Sequence, residues 1–183
     1  MTAYSVEPLS GPVLVAGGWI DPLLALEREN LAPLLAATGR PFPEARRRVG
    51  LASADAAVLL LRDGVLIGFI DFVHDWNDPA DLYVASVQLR AAARGGPALG
   101  VLLAAGFEAI GRLQWRRLTA NVHPSNHPAL RLAGRLGFRR TAAPGRSSVG
   151  LALDHQALLA SPLARLAAAL AARHRPGGSR SGG

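Results

Sequence analysis

The chain has 183 residues, no cysteine and a hydrophobic fraction of 50%, which suits one globular domain with a buried core. This composition excludes wholesale disorder, disulfide bonds, thiolate metal sites and a cysteine nucleophile. The formal net charge is +7, a sign that attracts nucleic acids, membrane surfaces or phosphorylated ligands.

The first fifty residues alternate turn signals with apolar periodicity. A short strand is predicted around residues 12–15. Leucines at helical spacing then predict a helix that ends at Gly39, with Asp21 as its N-cap and Pro22 at its first position. A second short helix is predicted over residues 44–51.

The middle of the chain predicts three strands in succession. Residues 56–61 and 65–73 are apolar, β-like runs joined by Asp63-Gly64, which is a strong hairpin signal. A polar turn precedes a third predicted strand over residues 82–89.

Helical and β-like segments alternate after that strand. A helix is predicted over residues 98–113 and a strand over 117–122. A helix capped by Ser125 or Asn126 then runs to Leu136, before closing strands at 138–141 and 147–153. This order indicates a mixed α/β sheet.

The C-terminus predicts Ala/Leu-rich helices over residues 154–174 and a disordered tail over 176–183. The helical segment 162–172 has two interpretations, a homodimer contact or a cover for the sheet. No apolar stretch reaches the roughly 20 residues that span a bilayer, and we see no targeting segment, so we expect a cytoplasmic protein without membrane contact.

The first chemical feature is a Gly-rich turn from Arg94 to Gly100, between a strand and a helix. Glycines let a backbone approach its ligand, and a helix N-terminus offers free N–H groups to phosphate. Ten arginines and a single acid, Glu108, lie within residues 82–153, which suits a polyanionic ligand. The acidic residues just ahead of this stretch suit a cationic one; they are Asp71, Asp75, Asp78 and Asp81.

The second feature carries a family resemblance. At Asn126, Ala129, Arg131 and the triplet Leu136-Gly137-Phe138, the sequence resembles the GNAT family of acyl-CoA N-acyltransferases. The form of this motif is most similar to the branch that acetylates ribosomal-protein N-termini. The resemblance implies a GNAT domain over residues 1–153, with a helical extension at 154–175. It implies a mixed sheet of six to seven strands, splayed at the cofactor site and flanked by helices.

The resemblance also implies acetyl-CoA as co-substrate. The Gly-rich turn then corresponds to the family's pyrophosphate loop, although Pro97 removes one N–H from it. The cofactor-binding residues implied in this way are Val87, Gln88, Leu89, Arg94, Gly95, Gly96, Ala98, Leu99, Gly100, Asn126 and Arg131.

The reaction implied is direct attack of a primary amine, on a small molecule or a peptide, on the thioester. Two positions where family members carry catalytic side chains hold Ala133 and Asn121 here. The resemblance to histone-type members, which place a glutamate about one strand-length before the loop, implies Asp81 as the general base or water-positioning group. Tyr83, two residues on and on the same side of a regular strand, is our candidate for the proton donor to sulfur. The rival candidates for the base are Asp71, His74, Asp75 and His123. Trp19 and Trp76 are candidates for the acceptor site.

Two other interpretations stay open. The missing catalytic residues favour a non-catalytic acyl-CoA-binding or interaction domain. The basic C-terminus allows nucleic-acid or ribosome association, which ranks last because no aromatic stacking platform is visible. We expect no metal site, because a proline turn separates His123 from His127 and no third ligand stands out.

Overall fold

The computed structural model describes residues 4–141 and 148–161, together with Arg165 and Ala169. Its elements in chain order are β1 (Tyr4–Leu9), α1 (Gly11–Ala16), α2 (Ile20–Ala36), α3 (Glu44–Ala52), β2 (Ala56–Arg62), β3 (Val65–His74), β4 (Asp81–Leu89), α4 (Ala98–Ile110), β5 (Arg117–Val122), α5 (His127–Arg135), β6 (Arg139–Arg140), β7 (Val149–Asp154) and α6 (His155–Leu159). The strands form one seven-stranded sheet in the order β1-β2-β3-β4-β5-β7-β6. All neighbours are antiparallel except β4 and β5, which confirms the predicted mixed α/β sheet.

Helices cover both faces of this sheet. One hydrophobic core lies between the sheet and α4, with Leu102 and Phe72 among its buried members. A second core lies under α1, α2 and α3 and includes Leu23 and Phe69. Because Phe69 and Phe72 lie on opposite faces of β3, this strand is buried on both sides. Within the described residues, no helix combines the length and the apolarity needed to cross a bilayer.

The hairpin between β2 and β3 forms as predicted. Asp63 and Gly64 both have positive φ, at 53° and 78°, and Arg62 pairs with Val65 across the turn. A two-residue turn of this kind matches the twist of its strands and needs residues that tolerate left-handed φ. The Asp-Gly pair therefore sets the register of the central strands.

The start of the chain differs from the prediction of a strand at residues 12–15. Residues 11–16 form α1, with Pro12 in its first turn, where a missing N–H costs nothing. The strand is β1, which pairs with β2 at the sheet edge, where Pro8 is tolerated. A Cβ on Gly11 would lie 2.3 Å from the Ala52 carbonyl oxygen, so glycine lets α1 begin against α3.

Several predicted helix ends also need correction. The N-cap of α2 is Trp19, and Asp21 lies in the first turn, where it accepts from Arg48. This helix ends at Ala36, and the turn that follows it closes at Gly39, whose φ is 69°. The Thr38 hydroxyl donates to the Leu35 carbonyl oxygen within that turn. Likewise α4 ends at Ile110 instead of residue 113. The Trp115 indole N–H donates to the Ile110 carbonyl oxygen at this helix end.

The closing strands are β6 and β7, so the sheet reaches the predicted upper number of strands. The strand predicted at residues 138–141 is reduced to Arg139–Arg140. At the C-terminus α6 ends at Leu159. Arg165 and Ala169 are helical, and the rest of the predicted 162–172 helix and the tail lie outside the described residues.

Candidate active site

The site begins where β4 and β5 separate. These parallel strands pair at only three positions, ending at Tyr83 and Thr119, although β4 continues to Leu89. β5 stays paired with β7 along its whole length, so β4 is the strand that leaves. β4 also carries a bulge at Ala85 against β3, and a bulge bends its strand.

A cavity of about 800 Å³ fills this opening. Apolar side chains from both strands form its walls, including Val84 and Val87 on β4 and Ala120 on β5. Leu34 of α2 and Phe107 of α4 line it from opposite sides of the sheet. The cavity therefore crosses the sheet through the gap between the strands.

The free edge of β4 offers backbone hydrogen-bonding groups to this cavity. A strand that has lost its neighbour leaves N–H and C=O groups without their ladder partners. Val87, Gln88 and Leu89 line the cavity at this edge, where the Leu89 carbonyl oxygen accepts from Asn30. Their contact with a cofactor stays a prediction. An extended ligand with its own amides can pair there as an added strand does.

The Gly-rich turn lies at one end of the cavity. Gly95 has φ of 79°, a conformation that favours glycine, and α4 begins three residues later at Ala98. The first N–H groups of a helix lack intrahelical acceptors, so those of Ala98, Leu99 and Gly100 point out of the helix end. Arg94 and Gly95 line the cavity beside them. The cation, the helix dipole and the free N–H groups together suit an anion, and we call this end of the cavity the anion-binding corner.

α5 completes the wall opposite α2. Asn126 lines the cavity and caps α5, because its side-chain oxygen accepts from the Ala129 N–H at 3.3 Å. Arg131 on the same helix is exposed and is not among the described residues that line the cavity. Ala133, the position at which the family resemblance implies a catalytic side chain, lines the cavity.

The two residues predicted for catalysis lie elsewhere among the described residues. Asp81 is buried, and its carboxylate accepts from Arg116 Nη2 at 3.0 Å and from Arg117 Nε at 2.9 Å. Tyr83 lies at the last paired position of β4. Neither residue lines the cavity. The role of Asp81 as a base stays a prediction, and its two guanidinium partners count against it.

The rival bases are also engaged. Burial raises the pKa of Asp71 to about 6, against the opposing charge of Arg47. The His74 ring lies 3.0 Å from the Asp55 carboxylate, and Asp75 accepts from the Asn77 side chain at 3.1 Å. His123 contacts Ser125 at 2.6 Å. These rivals are likewise absent from the described lining of the cavity.

The two predicted acceptor-site tryptophans have different surroundings. Trp76 is 95% exposed in the turn before β4. Trp19 packs against the core under α1, α2 and α3. Within the described part of the chain neither lines the cavity. The acceptor-site role of both stays a prediction.

The model of the acetyltransferase (GNAT) family matches residues 25–138. The chain belongs to the GNAT acetyltransferase family. This match runs from α2 through β4 and the Gly-rich turn to the Leu136-Gly137-Phe138 triplet, so it covers most of the cavity wall. GNAT enzymes use acetyl-CoA as their co-substrate.

Solved GNAT structures share the fold at low sequence identity. The PaiA N-acetyltransferase of Thermoplasma acidophilum, in complex with coenzyme A, is 15% identical with a TM-score of 0.59, covering 84% of this chain and 99% of its own. A ribosomal-protein-alanine N-acetyltransferase from Brucella melitensis is 18% identical with a TM-score of 0.58, covering 81% and 96%. The diaminobutyrate acetyltransferase of Paenibacillus lautus, in complex with L-2,4-diaminobutyric acid and coenzyme A, is 16% identical with a TM-score of 0.54, covering 83% and 94%. No curated protein sequence matches the chain significantly.

Sequence reasoning missed the contribution of α2 to this GNAT site. Asn30, Leu31 and Leu34 line the cavity, and Asn30 donates to the Gln88 side chain and to the Leu89 carbonyl oxygen. The only local signal was a polar residue within a series of leucines. Its role depends on β4, which lies far along the chain.

Proposed function

We propose that this protein is an N-acetyltransferase that transfers the acetyl group of acetyl-CoA to a primary amine. The observation that carries the proposal is the continuity of the cavity from the free edge of β4 to the anion-binding corner at the start of α4. An extended arm with amide groups suits the strand edge, and a diphosphate suits Arg94 and the helix N-terminus. These two requirements describe the two halves of coenzyme A.

The chemistry proposed is direct attack. The amine nitrogen forms a bond to the thioester carbonyl carbon and the C–S bond breaks. The nitrogen gives up one proton and the departing sulfur takes up one, directly or through water, so that CoA leaves as a thiol. An apolar wall disfavours a charged ammonium, so burial lowers the pKa of the incoming amine and raises the fraction of its neutral, nucleophilic form. The cavity itself thus favours deprotonation, which reduces the demand on a dedicated base.

The acceptor proposed is a protein N-terminus or a cationic small molecule. The form of the α5 motif supports the branch that acetylates ribosomal-protein N-termini, and the fold likeness to the Brucella enzyme is compatible with it. The complex of the Paenibacillus enzyme with a diamino acid is compatible with a small amine.

Titration calorimetry with acetyl-CoA, and with CoA and ATP as controls, tests the cofactor half of the proposal. We expect acetyl-CoA and CoA to bind, and ATP to bind more weakly because it lacks the arm with amide groups. A thiol-release assay with N-terminal peptides, polyamines, aminoglycosides and amino acids then tests the acceptor half. Absence of acetyl-CoA binding contradicts the proposal.

A matched pair of glycine variants localises the binding. Gly95 and Gly39 both have positive φ, 79° and 69°, and both have open space where a Cβ atom would lie. Alanine at either position costs about 1 kcal/mol of stability through backbone strain. Gly95→Ala should also weaken acetyl-CoA binding, because Gly95 shapes the anion-binding corner, whereas Gly39→Ala should not. If both variants bind acetyl-CoA equally well, the Gly-rich turn is not part of the cofactor site.

The second candidate is a non-catalytic acyl-CoA-binding domain. Glu29 is the one acid, and no histidine occurs, among the described residues that line the cavity. Acetyl-CoA binding with no thiol release across the amine panel would favour this candidate over the enzyme.

A further inference from the structure

A chain of polar side chains runs from the anion-binding corner into the layer between α2 and the sheet. Arg94 Nη2 donates to Asn30 Oδ1, and Asn30 Nδ2 donates to Gln88 Oε1 at 2.8 Å. Gln88 Nε2 donates to Ser86 Oγ at 2.8 Å, and Ser86 Oγ donates to Glu27 Oε1 at 3.1 Å. Every bond points the same way, from a guanidinium to a carboxylate.

The inner part of this chain is fixed by burial. Glu27, Ser86 and Gln88 are all less than a tenth exposed. A buried polar group without a partner is costly, so each amide and hydroxyl is held to its neighbour. Glu27 is held in turn by Arg47 Nε at 2.9 Å. The chain is therefore anchored at its inner end and cannot shift freely.

The outer end of the chain determines where Arg94 points. Among the described residues, both polar contacts of the Arg94 side chain fall on Nη2, one to Asn30 and one to the Leu89 carbonyl oxygen at 3.3 Å. A guanidinium has five N–H donors in a fixed plane, so the Nη1 and Nε hydrogens stay available to a ligand. Arg94 lines the cavity together with Gly95 and with Leu99 in the first turn of α4.

We propose that Asn30 is a positioning residue for the cofactor diphosphate and that it acts through Arg94, with Gln88 holding Asn30 in place. The inference rests on the proposed use of acetyl-CoA. An arginine held in its binding orientation loses less side-chain entropy when a phosphate arrives, so the chain raises cofactor affinity. Because Asn30 belongs to α2, it also ties one wall of the cavity to the anion-binding corner.

A double-mutant cycle tests this role. We measure acetyl-CoA binding by titration calorimetry for the unaltered protein, Asn30→Ala, Arg94→Ala and the double variant. Asn30→Ala should raise the Kd about fivefold to tenfold, the range for freeing one long side chain. It should add nothing to Arg94→Ala, since Asn30 acts through that residue. Equal losses in both backgrounds would overturn the inference.

Two further measurements separate positioning from a general structural effect. S-acetylpantetheine lacks the diphosphate, so Asn30→Ala should bind it as the unaltered protein does; weakening of both ligands alike would overturn the inference. Arg28→Ala is the matched control, because Arg28 is on the same helix and pairs with Glu44 on α3. It should leave acetyl-CoA binding unchanged.

The inference and the proposed function fail in different ways. If the unaltered protein binds no acetyl-CoA, the proposed function falls and the inference falls with it. If the unaltered protein binds acetyl-CoA and Asn30→Ala binds it equally well, the inference alone is overturned.

Discussion

Two clusters of arginine and carboxylate groups in this protein differ in burial and in charge balance. In the buried cluster, Arg47 contacts Glu27 at 2.9 Å and Asp71 at 3.1 Å, with both carboxylates nearly inaccessible. The strand-end cluster comprises the exposed carboxylate of Asp78, the buried carboxylate of Asp81, and two half-exposed guanidinium groups, Arg116 and Arg117. One guanidinium thus serves two buried carboxylates in the first cluster, whereas the numbers are equal in the second.

The comparison changes what the acidic stretch of the sequence means. Asp71 and Asp81 suggest one negative surface for a cationic acceptor, yet they belong to different clusters and each has an arginine partner. Asp78 pairs with Arg116, and Asp75 accepts from Asn77. The acidic stretch therefore does not form the single negative surface that its sequence suggests. The strand-end cluster holds β4 and β5 together just before they separate.

Replacing one arginine in each cluster should give the largest difference in stability between the two clusters. Arg47→Ala leaves two buried carboxylates without a cation, which costs about 3–5 kcal/mol. Arg116→Ala should leave the urea midpoint close to that of the unaltered protein, because Arg117 still pairs with Asp81. Urea denaturation followed by circular dichroism measures both. Similar midpoints for the two variants would remove the distinction between the clusters.

If Arg47→Ala does not fold, Arg47→Lys keeps the test informative. Lysine retains the charge but cannot contact both carboxylates through a planar fork. The free energy of unfolding of Arg47→Lys should therefore fall below that of the unaltered protein, whereas that of the matched Arg116→Lys variant should stay close to it. An Arg47→Lys variant as stable as the unaltered protein would show that the fork geometry is unimportant.

The next largest expected effect is the pH dependence that Asp71 gives to the free energy of unfolding. Burial raises its pKa from 3.8 to about 6, so the folded protein holds this proton more tightly than the unfolded chain does. The group's stabilising contribution is fully present at lower pH and is lost as the pH rises from about 4 to about 6. A shift of this size corresponds to about 3 kcal/mol.

Asp71→Asn removes this titration. The free energy of unfolding of the unaltered protein, relative to that of Asp71→Asn, should therefore fall between pH 4 and pH 7 by about 2 kcal/mol, which is most of the full change. Urea titrations of both proteins at several pH values measure the difference. A difference that does not change with pH would mean that Asp71 is ionised as readily in the folded protein as in the unfolded chain.

The fold was predictable wherever a local signal decides the structure. Asp63-Gly64 favours a tight hairpin, and the Asn126 side chain caps α5, so neither feature depends on distant residues. The beginning of the chain was not predictable in this way. β1 is a strand because β2 lies beside it, and Gly11 is required because the Ala52 carbonyl lies against it.

The features of the site also divide into those set by local sequence and those set by distant residues. The Gly-rich turn and the α5 motif are defined by a glycine conformation and a helix cap, which short sequence patterns record. Asn30 of α2 contacts Gln88, 58 residues further along the chain, and no local pattern records that contact. The surroundings of Asp81 were unpredictable for a similar reason, since its arginine partners come from β5 and the turn before it.

A smaller effect is expected for Asp81→Asn, which tests the strand-end cluster directly. Asparagine keeps the shape but loses the charge that two guanidinium groups share, which costs about 1–2 kcal/mol. If Asp81 is a structural partner, the variant should lose stability while kcat of the folded protein stays within about threefold of the original, as expected for a group outside the reacting site. A kcat reduced by about a hundredfold or more at unchanged stability would instead restore Asp81 as the general base.

The smallest expected effect concerns Asp78, whose contribution to stability should change with pH in the direction opposite to that of Asp71. The Ala80 N–H, and then Arg116, lower the pKa of Asp78 below its ordinary value of 3.8. The folded protein therefore favours the ionised form, and the stabilising contribution is present above that value and lost as the pH falls below it. Asp78→Asn should accordingly be slightly less stable than the unaltered protein at neutral pH and equal to it in strong acid.

Because the Asp78–Arg116 pair is exposed, added salt should shrink this difference in stability, whereas it should leave the difference at Asp71 nearly intact. Urea titrations at low and high ionic strength measure both responses, and a common sign for the two aspartates would mean that burial does not distinguish the clusters.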